Sequence, residues 1–208
     1  PSNVTTEGAA VAGDVAIDVG AGQGEEARVM AEAVGPTGVV HAIEPDVRAQ
    51  KDLIANQRSY PQLLVHRCAA GARCETRMLY PALNTNQTSC WEALAQPREG
   101  EAVLVDMLPL DFVTVHPVAL VKIDVQGAEV DVLNGADRLL AQCPAWIVEC
   151  WPHGLTAAGT SAQELVGRLW KAGLTVRCVD GPVTDEGLSV WLATCTERSY
   201  VNLVATRG

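Results

Sequence analysis

Asp18 and Glu44 close two short apolar runs, and three glycines stand between them. The stretch reads Val15-Ala-Ile-Asp-Val-Gly-Ala-Gly-Gln-Gly24 and continues into a helical pattern before Val39-Val-His-Ala-Ile43 delivers Glu44. Gly20 and Gly22 allow a ligand to approach the backbone closely, with Ala21 between them, and a carboxylate can accept from both hydroxyls of a ribose. Strand, glycine turn, helix, strand and acid, in that order, are the parts of a nucleotide-type cofactor site at the carboxyl edge of a parallel sheet. The dinucleotide fingerprint wants a small residue three positions after Gly22, and Glu25 stands there. A carboxylate at that helix N-terminus would repel a pyrophosphate. No Walker lysine follows the glycines, so a P-loop is excluded. Asp18 before the turn suits a cofactor carrying a positive charge and an amine. S-adenosylmethionine is therefore the expected cofactor, and an NAD-dependent oxidoreductase ranks behind it.

A second constellation lies in Ala119-Leu-Val-Lys-Ile-Asp-Val-Gln-Gly-Ala-Glu129. Lys122 and Asp124 are two apart on an apolar strand and so share a face. Charges on a central strand need partners, so an ion pair at the sheet's carboxyl edge is expected. Its role is either catalytic or that of a structural salt bridge. Gly127 permits a sharp turn, and Glu129 opens the next helix, placed to brace Lys122 or to cap the turn. Glu149 ends the following strand, and His153 lies just beyond in Trp151-Pro-His. If a methyl group passes to a hydroxyl, the base candidates are Asp124, Glu149 and His153, with Lys122 tuning Asp124. Asp124 is the central polar residue. The base is His153 or Glu149, unless the mechanism is purely positional. Asp124, Glu149 and His153 show no compact ligand spacing, and no metal is expected. His41, His66 and His116 read as edge or loop histidines.

The elements that must position these residues alternate. Strands are predicted at 15–19, 38–43, 62–67, 118–124, 145–150, 174–179 and 200–205, and helices at 24–34, 46–57, 129–141 and 161–172. That alternation predicts a parallel sheet covered on both faces. Residues 71–117 interrupt it and read as a hairpin, roughly 74–80 with 102–108, around an irregular loop that either covers the site or is a surface insertion. Ser161 with Glu164 forms a capping-box pattern, and Gly173 follows the last helix. Trp146, Trp170 and Trp191 read as core, and Trp91 and Trp151 as loop aromatics near the crevice.

The 208 residues are expected to form a single domain. The formal charge of −10 and the 4% aromatic content argue against nucleic acid as a partner. Seven cysteines without a CxxC pair fit reduced thiols in the cytoplasm. Asn3 and Asn86 begin sequons, a pattern common by chance. No apolar run is long enough to span a bilayer, so no membrane partner is expected. The chain opens on Pro1, as expected of one trimmed at, or lacking, its N-terminal segment.

Val121-Lys-Ile-Asp-Val-Gln-Gly-Ala-Glu129, followed by Val132-Leu-Asn-Gly-Ala136, resembles the signature of the FkbM family of methyltransferases. Ile17-Asp-Val-Gly-Ala-Gly22, Ile43-Glu-Pro45, Leu108-Pro-Leu-Asp111 and Trp146-Ile-Val-Glu149 extend the resemblance over roughly 15–205. It implies an α/β, Rossmann-like class I methyltransferase fold, with a seven-stranded, mostly parallel sheet of order 3-2-1-4-5-7-6. It also implies O-methylation of a small molecule, a sugar or polyketide-type metabolite, or else a non-catalytic scaffold of the same fold. By position, Gly20, Ala21 and Gly22 would pass under the methionine part of S-adenosylmethionine, with Asp18 near its amino group. Glu44 would hold the ribose, Pro45 and Asp46 would lie beside the adenine, and Cys68, Ala69 and Ala70 would contribute backbone near the ring. The 81–100 loop carries no assignable match.

Overall fold

The computed structural model describes residues 10–97, 99–178 and 181–208. The sequon at Asn3 and the last residue of the strand predicted at 174–179 fall outside them. The strands are β1 (Val15–Val19), β2 (Val39–Ile43), β3 (Leu63–His66), β4 (Ala69–Ala70), β5 (Glu75–Leu79), β6 (Val103–Leu108), β7 (Leu120–Ile123), β8 (Ala145–Cys150), β9 (Thr175–Cys178), β10 (Gly181–Pro182) and β11 (Val201–Thr206). The helices are α1 (Glu25–Val34), α2 (Val47–Ser59), α3 (Glu129–Asn134), α4 (Asp137–Gln142), α5 (Pro152–Ala157), α6 (Ala162–Lys171) and α7 (Asp185–Leu192).

The main sheet runs β10-β9-β11-β8-β7-β1-β2-β3. Without the two-residue edge strand β10, this is the predicted order 3-2-1-4-5-7-6. β11 lies antiparallel between β8 and β9, while β3, β2, β1, β7 and β8 are parallel. Alternating side chains feed two cores. Ile17, Val121 and Trp146 meet Leu133 and Leu165 on one face; Ala16, Val40 and Leu63 meet Met30, Val34 and Leu53 on the other. Each large residue buried this way is worth roughly 1.5–3 kcal/mol relative to exposure. The insertion pairs as expected, β5 antiparallel to β6, and Ala69–Ala70 adds a short parallel strand beside β6.

Two helix expectations are corrected. The helix predicted at 129–141 is two helices, broken at Gly135–Ala136. A Cβ at Gly135 would collide with the Gly71 carbonyl oxygen. The Gly135 carbonyl accepts from the Asp111 N–H, while the Asp111 carboxylate accepts from the Arg138 and Leu139 N–H groups at 2.7 and 3.0 Å. The hairpin's return thus caps α4, and an uninterrupted helix would occupy the carbonyl that Asp111 uses. Residues 152–157 and 185–192, for which no helix is predicted, are helical; Pro152 starts α5, and the Thr184 hydroxyl caps α7 by accepting from Gly187 N–H. Ser161 caps α6 as expected, accepting from Glu164 N–H at 3.1 Å. His41 is not on an edge. It is buried in β2 with Nδ1 2.9 Å from His66 Nε2. All seven cysteines are free thiols. Among the described residues, no helix is long and apolar enough to cross a membrane.

Candidate functional site

The carboxyl ends of β1, β2, β7 and β8 open into a cavity of about 660 Å³. Its floor is the glycine turn. Gly20 and Ala21 N–H groups donate to the Ile43 carbonyl, tying the turn to the end of β2. Gly20 has φ 78°, and a Cβ there would collide with the Asp124 carbonyl oxygen. The position therefore requires glycine on two counts, the left-handed backbone and the neighbouring chain.

Glu44 lines this cavity and is held rigidly. Its carboxylate accepts from Gly22 N–H at 2.8 Å and from Asp46 N–H at 2.7 Å. Burial pushes its carboxyl up to about 7, against the lowering effect of those two donors. Asp46 lies just behind the wall. It caps α2 through Arg48 N–H, pairs with the Arg48 guanidinium and accepts from the Thr88 hydroxyl at 2.9 Å. Pro45, Ala69 and Ala70 line the cavity; Cys68 is buried outside it, and burial raises its thiol.

Asp18 does not reach the cavity wall. It is 0% exposed, neither carboxylate oxygen has a hydrogen-bond partner among the described residues, and its Oδ1 lies 3.5 Å from Lys122 Nζ. Lys122 faces Asp18 across the β1–β7 pair and lies 3.8 Å from Asp124 Oδ2. The expected Lys122–Asp124 pair is therefore a trio, with the lysine, itself on the cavity lining, slightly closer to buried Asp18 than to Asp124. Burial raises the Asp18 carboxyl and Lys122 opposes it; for Lys122, burial is outweighed by Asp18 and Asp124, which hold the ammonium above its ordinary range.

Beyond β7, Gln126 adopts φ 53° and Gly127 φ 101°. Left-handed backbone at a non-glycine residue is uncommon and needs local support. Glu129, 0% exposed, provides it by accepting from Val125 N–H and Gly127 N–H at 3.1 Å each. Of its two expected roles it takes the cap of the turn, and burial lifts its carboxyl to about 7. The turn aims the Gln126 amide nitrogen at Asp124 Oδ1 (2.8 Å) and Glu149 Oε2 (3.1 Å). One side chain thus holds two carboxylates on the cavity wall. Burial, then the Asp124 charge, pushes Glu149 well above the usual carboxylate range.

His153 is not with them. It is exposed on α5, outside the cavity lining, and packs tilted against Trp151 with ring centroids 5.6 Å apart. Pro152 begins that helix immediately after Trp151, turning the chain so that Trp151 meets the cavity and His153 does not. Among the described residues, no group of three or more His, Cys, Asp and Glu side chains is placed to hold a metal ion.

Three contributions escape the sequence reading. Gln126 lies inside the recognised stretch but passes for a turn residue. Asn84, Thr85, Gln87, Thr88, Ser89 and Cys90 of the insertion line the cavity; of the two expectations for this loop the covering one holds, but none of these residues is singled out for it. Thr88 joins Asp46 and Arg48 on one side, and the Ser89 hydroxyl donates to the Gln126 carbonyl at 3.2 Å on the other. Glu197, Arg198 and Tyr200, just before β11, also line the cavity and had no signal.

The cavity fits a cationic nucleoside better than a pyrophosphate. Six carboxylates (Glu25, Glu26, Glu44, Asp124, Glu149 and Glu197) line it against Lys122 and Arg198. Comparison with known proteins agrees with this fit. The model of the FkbM methyltransferase domain matches residues 18–173, more than half the chain. No curated protein matches the sequence at a significant level. Among solved structures, the FkbM methyltransferase from Methylobacillus flagellatus superposes with a TM-score of 0.60 at 16% identity, over 93% of this chain and 43% of that one. Aeropyrum pernix fibrillarin with bound S-adenosylmethionine gives 0.53 at 14% identity, over 94% and 67%. A Thermotoga maritima SAM-dependent O-methyltransferase gives 0.50 at 15% identity, over 95% and 60%. The chain thus spans less than half the length of the Methylobacillus protein, and at these identities the likeness establishes the fold. Together, the match over 18–173 and this fold show that the chain belongs to the FkbM family of methyltransferases, whose cofactor is S-adenosylmethionine.

Proposed function

We propose that this chain methylates a hydroxyl oxygen of a small molecule, a sugar or polyketide-type metabolite of natural product biosynthesis, acting as one domain in the cytoplasm. The observation that carries the proposal is the pair Asp124 and Glu149, held by one amide in the cavity that Glu44 also lines. Methyl transfer to a neutral hydroxyl leaves a proton to be removed, and a fixed carboxylate pair is the group present to remove it.

When bound, S-adenosylmethionine supplies a methyl group already activated by its positive sulfur. The protein's tasks are then to orient and to deprotonate. Gly20, Ala21 and Gly22 offer backbone without side-chain bulk. Glu44, its geometry set by the Gly22 and Asp46 N–H groups, would accept the ribose hydroxyls. Pro45, Ala69 and Ala70 would give the adenine an apolar wall. Glu149, raised by burial and by Asp124, retains its proton near neutrality. Asp124 is the acceptor for the hydroxyl proton, with Lys122 Nζ 3.8 Å from its Oδ2. Holding the two reactants in line is the larger contribution, up to roughly 7–11 kcal/mol in favourable cases.

The acid-rich lining and the net charge of −10 both disfavour a phosphate backbone as acceptor. The test is a screen of glycosides and polyketide alcohols with S-adenosylmethionine, reading S-adenosylhomocysteine release. Acceptor-dependent release that collapses in Asp124→Asn supports the proposal. Tight cofactor binding with no turnover on any alcohol would favour the scaffold reading instead.

A further inference from the structure

A second cavity of about 340 Å³ lies behind the Gln126–Ala128 turn. Gly127 lines it, while Gln126 and Ala128 line the larger crevice, and Cys90 borders both. The two spaces are therefore neighbours, separated by one turn and one side chain. The walls of the smaller space are Trp91 from the insertion, Asp131 and Asn134 from α3, and Thr160 after α5. Arg77 covers the Trp91 ring, its guanidinium carbon 5.6 Å from the ring centre.

The chemistry of these walls is specific. Arg77 is already matched by Glu75 at 2.6 Å and Asp131 at 3.2 Å, so it offers no free positive charge to a phosphate or carboxylate. The Asn134 amide, exposed at the C-terminal end of α3, makes no hydrogen bond among the described residues. Asp131 accepts, Asn134 both donates and accepts, and the Thr160 hydroxyl has lone pairs to spare while donating to the Leu155 carbonyl. An indole beside uncharged or neutralised polar groups suits a neutral ring with apolar C–H faces and a hydroxyl edge.

We propose that this second cavity is a carbohydrate subsite taking one neutral sugar ring, with Trp91 as its apolar wall and Asp131, Asn134 and Thr160 as its polar edge. This rests on the methyl-transfer reading of the larger crevice, and it narrows the acceptor to a glycoside. Its hydroxyl would face Asp124 while an adjoining sugar ring lies past Cys90.

The test titrates the full chain with a panel of methyl glycosides of neutral hexoses and 6-deoxyhexoses, read by saturation-transfer NMR and tryptophan fluorescence. S-adenosylmethionine binding is measured on the same samples. We expect saturable glycoside binding that weakens at least tenfold in Trp91→Ala and Asn134→Ala and disappears in Ala158→Phe, which fills the cavity. Cofactor binding should be unchanged in Asn134→Ala and Ala158→Phe. Asn134 is exposed and unbonded, so its variant keeps the test readable if Trp91→Ala disturbs the insertion. The subsite is refuted if no glycoside binds, or if binding survives both Asn134→Ala and Ala158→Phe. It is refuted equally if binding is lost in Glu149→Gln alone, which would put the sugar in the larger crevice. Loss of cofactor binding in the unmodified chain would count against the methyl-transfer reading and leave the glycoside result interpretable.

Discussion

Glu44 joins two requirements that pull against each other. It must be ionised to accept two ribose hydroxyls, yet burial pushes its carboxyl up to about 7. In the free protein it is therefore largely protonated below that pH, and hydroxyl donors favour the charged form. Cofactor affinity should fall as pH drops below about 7, by at most tenfold per unit, because one proton must leave before binding. Calorimetry from pH 5.5 to 8 measures this, and Glu44→Gln should bind weakly at every pH. A wild-type affinity that stays flat over that range would place the ribose elsewhere. Asp124 and Glu149 make a second residue-scale case. Asp124→Asn should lower kcat by roughly 10²–10⁴-fold, the ordinary contribution of a general base. Glu149→Gln should leave the acidic limb of the rate profile in place and remove a change on its alkaline side, because Glu149 keeps its proton through neutrality and ionises only well above the usual carboxylate range. An alkaline side that is the same in Glu149→Gln would show that ionisation of Glu149 does not touch the reaction.

At the scale of elements, the insertion is strapped across the crevice at two points. Thr88 docks on Asp46 and Arg48 beside α2, and Ser89 docks on Gln126 beside β7. Thr88→Val removes the hydroxyl's part of the first attachment at a cost of about 1 kcal/mol, the usual worth of such a bond, and leaves the Arg48–Glu99 ion pair in place. Hydrogen exchange should then quicken in 80–97 while β1 and β2 stay protected, and the acceptor KM should rise more than the cofactor Kd. The main sheet was legible because each of its strands is a short apolar run whose period and spacing admit little else. Glu44, Pro45 and the glycine turn were legible for a related reason: position along a strand determines which end a residue occupies. What was not legible depends on contacts distant in sequence. Gly135 breaks a helix because Asp111 needs its carbonyl, and nothing in Val132-Leu-Asn-Gly-Ala136 announces that. His153 looked like a base by type and neighbourhood, but one proline turned it away. Gln126 and Ser89 meet only once the insertion has folded back.

For the molecule as a whole, the same acids that shape the crevice must oppose folding at high pH. Glu129 is buried with its carboxyl raised to about 7, above an ordinary value of 4.5. A group whose folded pKa is raised contributes stability that is complete below the unfolded value and lost as pH rises through the folded one. For Glu129 that window is roughly pH 4.5 to 7, and the shift corresponds to a loss on the order of 3 kcal/mol across it. His41 works in the opposite sense. Burial lowers it to about 4, so its contribution is present above its ordinary 6.5 and lost as pH falls. The raw pH profile of the protein mixes the two, and a difference between variants separates them. Glu129→Gln keeps an acceptor oxygen for the Val125 and Gly127 N–H groups but cannot ionise. Its unfolding free energy relative to the parent should therefore improve from pH 5 to about pH 7 and level off above that, whatever its starting offset. Urea unfolding at four or five pH values, with both chains followed in parallel, measures that slope. A constant difference would mean that Glu129 ionises in the fold as readily as in the unfolded chain. The Gln126 turn would then stand on an unperturbed carboxylate, and its grip on Asp124 and Glu149 would need another source.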